Sequence, residues 1–251
     1  MPLADAIRPR TLDEVCGQKH LLAKGAPLRR IIESGHVPSL IFYGPPGTGK
    51  TTLADILATI TNKQFFRLNA TTASLSDVKD ALDASGTLAG MGGTLLYIDE
   101  LQYFNKRQQQ SLLEYMEDGR VTLVGSTTEN PYFAIYGAIL SRATVFEFRP
   151  LTPEDIMPAL RRGMEYLCAE YGAKDCDDSV LSAIAGYSGG DVRKALTALE
   201  NTYYASGSAL DRETALQLTQ RSGMRFDKDG NEQCFLTLFF LLERLPSCSL
   251  S

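Results

Sequence analysis

The sequence predicts an α/β fold with a five-stranded, mostly parallel sheet, followed by a small all-α domain. The first observation is a set of five short apolar runs, typical of strands that are buried on both faces of a parallel sheet. The second is that stretches with apolar residues three and four positions apart separate these runs. The third is that no strand pattern follows Pro150. The five runs are Leu40–Tyr43, Phe65–Leu68, Leu95–Ile98, Val121–Val124 and Val145–Phe148.

The helical stretches between the runs are Lys50–Ile60, Ser74–Ala84 and Asn105–Glu117. Thr152–Asp155 then has the features of a helix start, with an N-cap residue, a proline and two acids. Three helical stretches are expected from there to about Gln220. We therefore predict an irregular N-terminal segment over residues 1–38, an α/β core over 39–150, a helical domain over 151–225 and a divergent tail over 226–251.

Composition limits the class of protein. Hydrophobic residues make up 44% of the 251 residues and charged residues 22%, which is typical of globular domains and excludes a disordered chain. The net charge of -5 argues against nucleic-acid binding by bulk charge, but it permits a local basic face. Residues 1–30 have six basic and three acidic side chains, whereas residues 151–200 have five basic and nine acidic ones.

Cysteine and histidine usage excludes several kinds of site. The five cysteines form no C-x-x-C pair, and the two histidines lie in no metal-binding pattern. A disulfide framework, a zinc cluster and histidine-based catalysis are therefore not expected. The start has no signal-peptide pattern, and the longest apolar run, Cys234–Leu242, is shorter than the roughly 20 residues that span a bilayer. We expect a cytoplasmic protein without a membrane partner.

A glycine-rich loop follows the first predicted strand. It matches G-x-x-x-x-G-K-[ST] and opens a helix, which is the context that a P-loop requires. Its N–H groups and the helix N-terminus would bind phosphate oxygens of ATP, the lysine would reach the β- and γ-phosphates, and the threonine would bind Mg²⁺. A chance match is the alternative. The residues expected at the nucleotide are Gly44, Pro45, Pro46, Gly47, Thr48, Gly49, Lys50, Thr51 and Thr52.

Two carboxylates end the third predicted strand. Four apolar residues precede Asp99 and Glu100, which places the pair at the edge where ligands of open α/β sheets bind. Asp99 would hold Mg²⁺ through water, and Glu100 would orient and polarise the attacking water. A solvated turn is the plainer alternative, but the P-loop upstream favours a site for ATP hydrolysis.

These motifs and their order resemble the AAA+ family of ATPases, which implies a P-loop core followed by a helical lid. Two N-terminal elements, I-R-P and V-C-G-Q, are similar to that family's adenine pocket. The resemblance assigns the base-contacting role to Ile7, Arg8, Pro9, Val15 and Gly17.

The same resemblance assigns four catalytic positions. Asn69 matches the polar residue that restrains the catalytic glutamate until DNA or a partner engages. Thr127 matches the sensor-1 position, with Thr128 as the second choice. Arg142, in S-R-A, matches the arginine that enters the neighbouring subunit's site in an AAA+ oligomer, and Arg193, in G-D-V-R, matches the sensor-2 arginine of the lid. Two such cations suit the charge that develops on a γ-phosphate.

Each of these residues also has a plainer interpretation. Arg142 and Arg193 could be solvated surface residues, Asn69 a turn former and Thr127 an ordinary strand residue.

Within the AAA+ class, two stretches are similar to the replication-associated recombination protein A family of bacteria, whose eukaryotic relatives are the Werner-helicase-interacting ATPases. They are Gly125–Pro131 and Leu140–Ala143, and the opening Pro2–Gln18 agrees with them. The resemblance implies a DNA-dependent ATPase that remodels DNA or DNA-bound proteins at stalled replication forks. It also implies DNA partners with single-strand gaps or duplex ends, contact with single-strand-binding protein and a nucleoid-associated location.

Three other functions stay open. A clamp-loader subunit or a Holliday-junction branch-migration motor would share the same motifs. A scaffold that binds ATP without turnover would lack Lys50, Glu100 or Arg142, and all three are present.

The likeness to that family fades after residues 227–233. The final stretch is apolar without a clear helical stripe, and we expect a truncated or frameshifted end. A short amphipathic helix packed on the lid is the alternative.

Overall fold

Five parallel strands form the centre of the computed structural model, which describes residues 1–61, 63–74, 76–80, 93–119 and 121–223. Their spatial order is β2-β3-β4-β1-β5, and every neighbouring pair is parallel. The predicted α/β class with its five strands is confirmed. The strands are β1 Leu40–Tyr43, β2 Gln64–Asn69, β3 Thr94–Asp99, β4 Val121–Thr127 and β5 Thr144–Glu147.

The sheet is buried on both faces, which explains its nearly continuous apolar runs. Leu40 and Phe42 of β1 pack in one hydrophobic cluster with Leu53 from the helix that follows β1. Ile41, between them in sequence, packs on the opposite face with Leu112. Because successive side chains of a strand point to opposite faces, one short run supplies two separate cores.

Eight helices accompany the sheet in the described part of the chain, and 3₁₀ turns occur at Leu12–Glu14 and Leu101–Tyr103. The segment over 1–38 was expected to be irregular. That expectation is wrong, because it contains three short helices, the third of which buries Leu28 and Ile32 beside the sheet. Part of the predicted helix Ser74–Ala84 lies outside the described residues. The helices are α1 Leu3–Ala6, α2 Lys19–Leu22, α3 Pro27–Glu33, α4 Lys50–Thr61, α5 over residues 76–80, α6 Lys106–Glu117, α7 Pro131–Ala134 and α8 Gly137–Leu140.

Four helices follow the last strand, where three were expected. The additional one begins after Asp211, whose carboxylate accepts hydrogen bonds from the Thr214 N–H at 2.8 Å and the Thr214 hydroxyl at 2.9 Å. This capping signal is present in the sequence, but the preceding loop is only a few residues long and hides the break. The four helices are α9 Pro153–Tyr171, α10 Asp178–Tyr187, α11 Val192–Ala205 and α12 Arg212–Gly223.

These four helices, here called the lid, have their own hydrophobic core, which includes Leu160, Ile184 and Leu199. Leu3, from the N-terminal helix, is 1% exposed and belongs to the same core. The domain limits at 38/39, 150/151 and 225/226 stay predictions, and residues 226–251 lie outside the described residues. Within the described ranges, no helix is both long enough and apolar enough to cross a membrane.

A glycine inside β4 supports the close packing between the sheet and the turn after β3. A Cβ at Gly125 would lie 2.8 Å from the Ile41 Cδ1 atom and 2.8 Å from the Leu101 Cδ2 atom. Both neighbours are fully buried, so their terminal methyl groups would have to shift within a packed core to make room.

We therefore expect Gly125→Ala to lower the free energy of unfolding by about 1–3 kcal/mol through overpacking. Chemical denaturation would measure this loss. Gly137→Ala is the matched control, because a Cβ there meets nothing within 4 Å, and it should leave stability nearly unchanged. Equal stability of the two variants would contradict the packing argument.

Candidate functional site

A cleft lies between the carboxyl ends of the strands, the N-terminal segment and the lid. It contains most of the residues that the sequence predicts for nucleotide binding. From the P-loop and the strand ends, the lining residues are Pro46, Gly47, Thr48, Gly49, Lys50, Thr51, Thr52, Asp99, Glu100 and Thr128. From the N-terminal segment and the lid they are Ala4, Asp5, Ile7, Arg8, Pro9, Val15, Cys16, Leu151, Ala159, Arg162, Val192, Arg193 and Leu196.

The P-loop bends sharply because two of its glycines touch other parts of the chain. Gly44 has φ +142°, and a Cβ there would lie 2.0 Å from the carbonyl oxygen of Phe148. Gly47 has φ +68°, and a Cβ there would lie 1.8 Å from the Asp191 carboxylate at the start of α11. The Val192 N–H also donates to the Gly47 carbonyl at 3.1 Å. The lid therefore contacts the phosphate-binding loop directly.

Lys50, the first residue of α4, is 8% exposed and lies at the centre of the loop. Its ammonium donates hydrogen bonds to the carbonyl oxygens of Gly44 at 2.6 Å and Pro45 at 2.7 Å. Burial lowers the pKa of Lys50 below its usual range, while the nearby carboxylates of Glu100, Asp99 and Asp191 oppose that shift and Arg193 adds to it. One buried cation is thus surrounded by the acids and the lid arginine that the sequence predicts for the site.

Thr51 and Asp99, the predicted metal ligands, lie on either side of the buried hydroxyl of Tyr97. Burial, followed by the negative charge of Asp99, raises the pKa of Tyr97 above its usual range, so this phenol stays protonated. Hydroxyl and carboxylate oxygens are ligands that Mg²⁺ prefers, and they suit an ion that also binds substrate phosphates. The residues present therefore fit a magnesium–nucleotide complex. The sequence interpretation did not include Tyr97.

Glu100 follows β3 and has left-handed backbone geometry, with φ +56°. Its Oε2 atom accepts a hydrogen bond from the Gln102 amide at 2.5 Å and another from the Thr128 hydroxyl at 3.3 Å. These two side chains restrain the carboxylate at the edge of the cleft.

Asn69 and Thr127 are not directed at the cleft. The Asn69 Oδ1 atom accepts from the N–H of Thr71 at 3.0 Å and from its hydroxyl at 2.8 Å, and Asn69 and Glu100 are not hydrogen bonded in the described part of the chain. The Thr127 side chain is fully buried and accepts from the Glu129 N–H at 3.0 Å. The structure instead brings Thr128, the second choice for this position and the first residue after β4, to the cleft.

The two predicted arginines differ in position. Arg193 lies in the first turn of α11 and lines the cleft. Arg142 follows α8, does not line the cleft, and pairs with Glu117 of α6 at 2.6 Å while remaining 42% exposed. An arginine placed in this way is available to a second molecule but not to its own site.

The predicted adenine pocket is mostly brought together. Ile7, Pro9 and Val15 line the cleft, whereas Gly17 does not and instead packs against Leu151 at the start of the lid. Arg8 lines the cleft, but its guanidinium pairs with Asp55 of α4 at 2.7 Å and with Asp5 at 2.5 Å. Arg8 therefore attaches the N-terminal segment to the P-loop helix.

The residues of the lid that complete this pocket were not predicted from the sequence, apart from Arg193. Ala159, Arg162 and Leu196 line the cleft, and so does Cys16, whose pKa is raised by burial. The Arg162 guanidinium donates to the Glu14 carbonyl oxygen at 3.2 Å. The three-residue spacing of Ala159 and Arg162 on α9 was visible, but only the tertiary fold shows which way that helix faces.

A buried glutamine, Gln18, connects three segments that surround the cleft. Gln18 is 4% exposed and adopts φ +51°. Its amide donates to the Arg149 carbonyl at 2.8 Å and the Thr48 carbonyl at 3.4 Å, and its oxygen accepts from the Arg149 N–H at 3.1 Å. One side chain thus joins the N-terminal segment, the P-loop and the connection to the lid.

The parallel sheet, the P-loop and the carboxylate pair define an AAA+ protein. Residues 40–151 match the family model described as "ATPase family associated with various cellular activities (AAA)". Residues 40–151, which hold the P-loop and the carboxylate pair, therefore form an AAA+ ATPase domain. This finding confirms the resemblance predicted from the motifs and establishes a nucleotide-binding family.

Within this class, the chain is similar to replication-associated recombination protein A. It is 39% identical over 239 residues to that protein of Escherichia coli K12, an alignment that covers 92% of this chain and 54% of the relative. It is 37% identical over 238 residues to that of Bacillus subtilis, covering 92% and 56%. It is 35% identical over 253 residues to "ATPase WRNIP1" of Dictyostelium discoideum, covering 92% and 29%.

The chain spans about half the length of the bacterial relatives it matches. Among solved structures, it is similar to the RuvB Holliday junction branch migration motor of Thermotoga maritima, with a TM-score of 0.70 and 23% identity. That similarity covers 94% of this chain and 79% of the other, and it shows the shared fold alone.

The hydrogen bonds of Gln18 predict that a negative charge at this position lowers the stability of the fold. We expect Gln18→Glu to lower the free energy of unfolding by about 1–3 kcal/mol at pH 8, because a carboxylate cannot donate to the carbonyls of Arg149 and Thr48. Those carbonyls raise the pKa of the introduced carboxyl, so its protonated form donates again at pH 5 and part of the stability returns.

Thermal denaturation at both pH values measures this difference, with Gln110→Glu on the exposed face of α6 as the matched control. A loss that is the same at pH 5 and pH 8 would show that the amide hydrogen bonds are not its cause.

Proposed function

We propose that this chain binds ATP with Mg²⁺ in the cleft and hydrolyses it. The observation that supports the proposal most directly is the position of Lys50. This buried ammonium lies in the bend of the P-loop, among Asp99, Glu100 and Arg193. Carbonyl oxygens of the loop accept its hydrogen bonds, so phosphate oxygens would be stronger acceptors for the same donors.

Each residue then has a defined role. Lys50 binds the β- and γ-phosphates, and the first-turn N–H groups of α4, which have no acceptor within the helix, bind phosphate oxygens. Thr51 and Asp99 would hold Mg²⁺, which neutralises charge on the phosphates. Glu100 orients and polarises the attacking water. Arg193 reaches the γ-phosphate from the lid.

We propose that the contacts that restrain the Glu100 carboxylate control ATP hydrolysis. Asn69 is the residue that the AAA+ resemblance assigns to this restraint, whereas Gln102 and Thr128 are the side chains that contact Glu100 in the structure. We propose that release of the carboxylate from these two contacts accompanies activation, with Asn69 as a partner after release. Thr127 would support the same segment from within β4.

The relatives' names support a role in replication-associated recombination. We infer that the chain remodels DNA, or proteins bound to it, at stalled forks, that it recognises single-strand gaps or duplex ends, and that it functions in the cytoplasm at the nucleoid. We also infer self-association through Arg142 and contact with single-strand-binding protein.

An ATPase assay with and without single-stranded, gapped and blunt duplex DNA tests this function. We expect hydrolysis that increases when gapped or single-stranded DNA is added, and light scattering in parallel would report oligomers. Equal rates with and without DNA would contradict DNA-dependent turnover. Further stimulation by a sliding clamp on primed DNA would favour a clamp-loader subunit instead.

The proposed role of Glu100 can be tested by a single substitution. Glu100→Gln should reduce turnover by about 10²–10⁴-fold, because the attacking water loses its polarising carboxylate, while ATP affinity stays within about twofold. Single-turnover hydrolysis and equilibrium binding of a fluorescent ATP analogue separate the two effects. Glu114→Gln, on the exposed face of α6, is the control. Normal turnover in Glu100→Gln would rule out the assignment.

Arg142 tests whether sites form between subunits. Arg142→Ala should reduce hydrolysis by about 10³-fold or more with little change in ATP affinity. Its lost surface pair with Glu117 accounts for only about 0–1 kcal/mol of stability. Arg161→Ala, which removes the exposed pair with Asp178, is the matched control.

Mixing two inactive variants gives the decisive measurement. An Arg142→Ala subunit retains Glu100, and a Glu100→Gln subunit retains Arg142, so mixed oligomers contain complete sites and should regain activity. A mixture as inactive as its components would contradict the role of Arg142 in a neighbour's site.

A further inference from the structure

Three hydroxyl groups and one carboxylate form a buried cluster beneath the P-loop. Tyr97 is fully buried on β3, two residues before Asp99, so both side chains lie on the same face of the strand. The Tyr97 hydroxyl oxygen lies 3.0 Å from the Thr51 Oγ1 atom, 3.0 Å from the Asp99 Oδ1 atom and 3.0 Å from the Ser126 Oγ atom. No direct hydrogen bond joins Thr51 to Asp99 in the described residues; Tyr97 lies between them.

The directions of these hydrogen bonds follow from counting protons. The Asp99 carboxylate only accepts, and the Ser126 hydroxyl donates to its Oδ1 atom at 2.5 Å. Because the carboxylate cannot donate, the Tyr97 hydroxyl is the donor in its own hydrogen bond to the Asp99 Oδ1 atom. With its proton directed there, the Tyr97 oxygen accepts from the Thr51 hydroxyl.

This arrangement determines which oxygen atoms face the cleft. Thr51 directs its proton at Tyr97, so its lone pairs remain for a cation. On Asp99, the Oδ1 atom accepts from the hydroxyl cluster, whereas the Oδ2 atom lies 3.9 Å from the Arg67 guanidinium. The phenol therefore orients one proposed metal ligand directly and the other through a shared hydrogen bond.

We propose that Tyr97 is a positioning residue for the nucleotide-bound Mg²⁺, joining Thr51 to Asp99 so that both present oxygen lone pairs to the ion. This inference rests on the proposed function, because it concerns the ion that accompanies ATP. Tyr97 itself is not among the residues that line the cleft. Hydrogen bonds that orient metal ligands in this way commonly contribute a factor of 10–100 to metal affinity.

Tyr97→Phe tests the proposal, since it keeps the buried ring and removes only the hydroxyl. The probe is Mn²⁺ with a non-hydrolysable ATP analogue, and free Mn²⁺ is measured by electron paramagnetic resonance. We expect the affinity of the protein–nucleotide complex for Mn²⁺ to fall by about 10–100-fold. Affinity for the nucleotide in EDTA should stay within about twofold of the wild-type value.

Tyr203→Phe is the matched control. Tyr203 is 1% exposed in the lid, does not line the cleft, and its hydroxyl donates to the Gly172 carbonyl oxygen instead of to the cluster around Asp99. It should bind Mn²⁺ like the wild type. Ser126→Ala, which removes the other donor to Asp99, should weaken Mn²⁺ binding in the same direction and also serves if Tyr97→Phe fails to fold.

The outcomes separate the two hypotheses. If the wild-type chain binds the nucleotide and Mn²⁺, and if Tyr97→Phe or Ser126→Ala binds Mn²⁺ equally well, the positioning role is wrong while the proposed function stands. If Tyr97→Phe loses affinity for the nucleotide equally in EDTA, the hydroxyl is structural and the positioning role is also wrong. A wild-type chain that binds no nucleotide would overturn both.

Discussion

The bend between β1 and α4 is the constraint on which the cleft depends. It exists because the backbone of Gly44 touches the Phe148 carbonyl and the backbone of Gly47 touches Asp191, two approaches that leave no room for a side chain. The first contact joins the loop to the segment after β5, and the second joins it to the lid. Any larger residue at either position would displace the loop, the sheet edge and the lid together.

The charges around Lys50 explain how this bend can hold a buried ammonium group. A buried ammonium without acceptors would be very unfavourable, and Lys50 is tolerated because two carbonyl oxygens and three nearby carboxylates compensate for the loss of water. Asp99, one of these carboxylates, is also a proposed Mg²⁺ ligand, so the charges that stabilise Lys50 lie next to the expected metal site. The net charge of the whole chain therefore says little about ligands, because the local arrangement of charge decides what binds.

The sequence predicted much of the fold and only part of the site. Strand runs and the P-loop were predictable because their signals are local, and the contacts of Lys50 follow from that loop. Thr128 was only the second choice for its position, and Gln102 and Arg162 were not assigned, since strand facing and helix orientation depend on tertiary packing. Tyr97 was counted only as an apolar strand residue, although its hydroxyl reaches the site while its ring fills the core. A tyrosine has an apolar ring and a polar hydroxyl, so one side chain can pack in the core and also form hydrogen bonds at the site.

The N-terminal segment also limits how far the lid can travel. Leu3 is buried in the lid core and its N–H donates to Glu200, whereas Arg8 is paired with Asp55 on the P-loop helix. Arg8 is five positions after Leu3, and a fully extended chain of that length spans only about 17 Å. While both ends stay attached, this tether sets an upper bound on opening, and Ile7, which lies between the two attachment points, shifts when the lid moves.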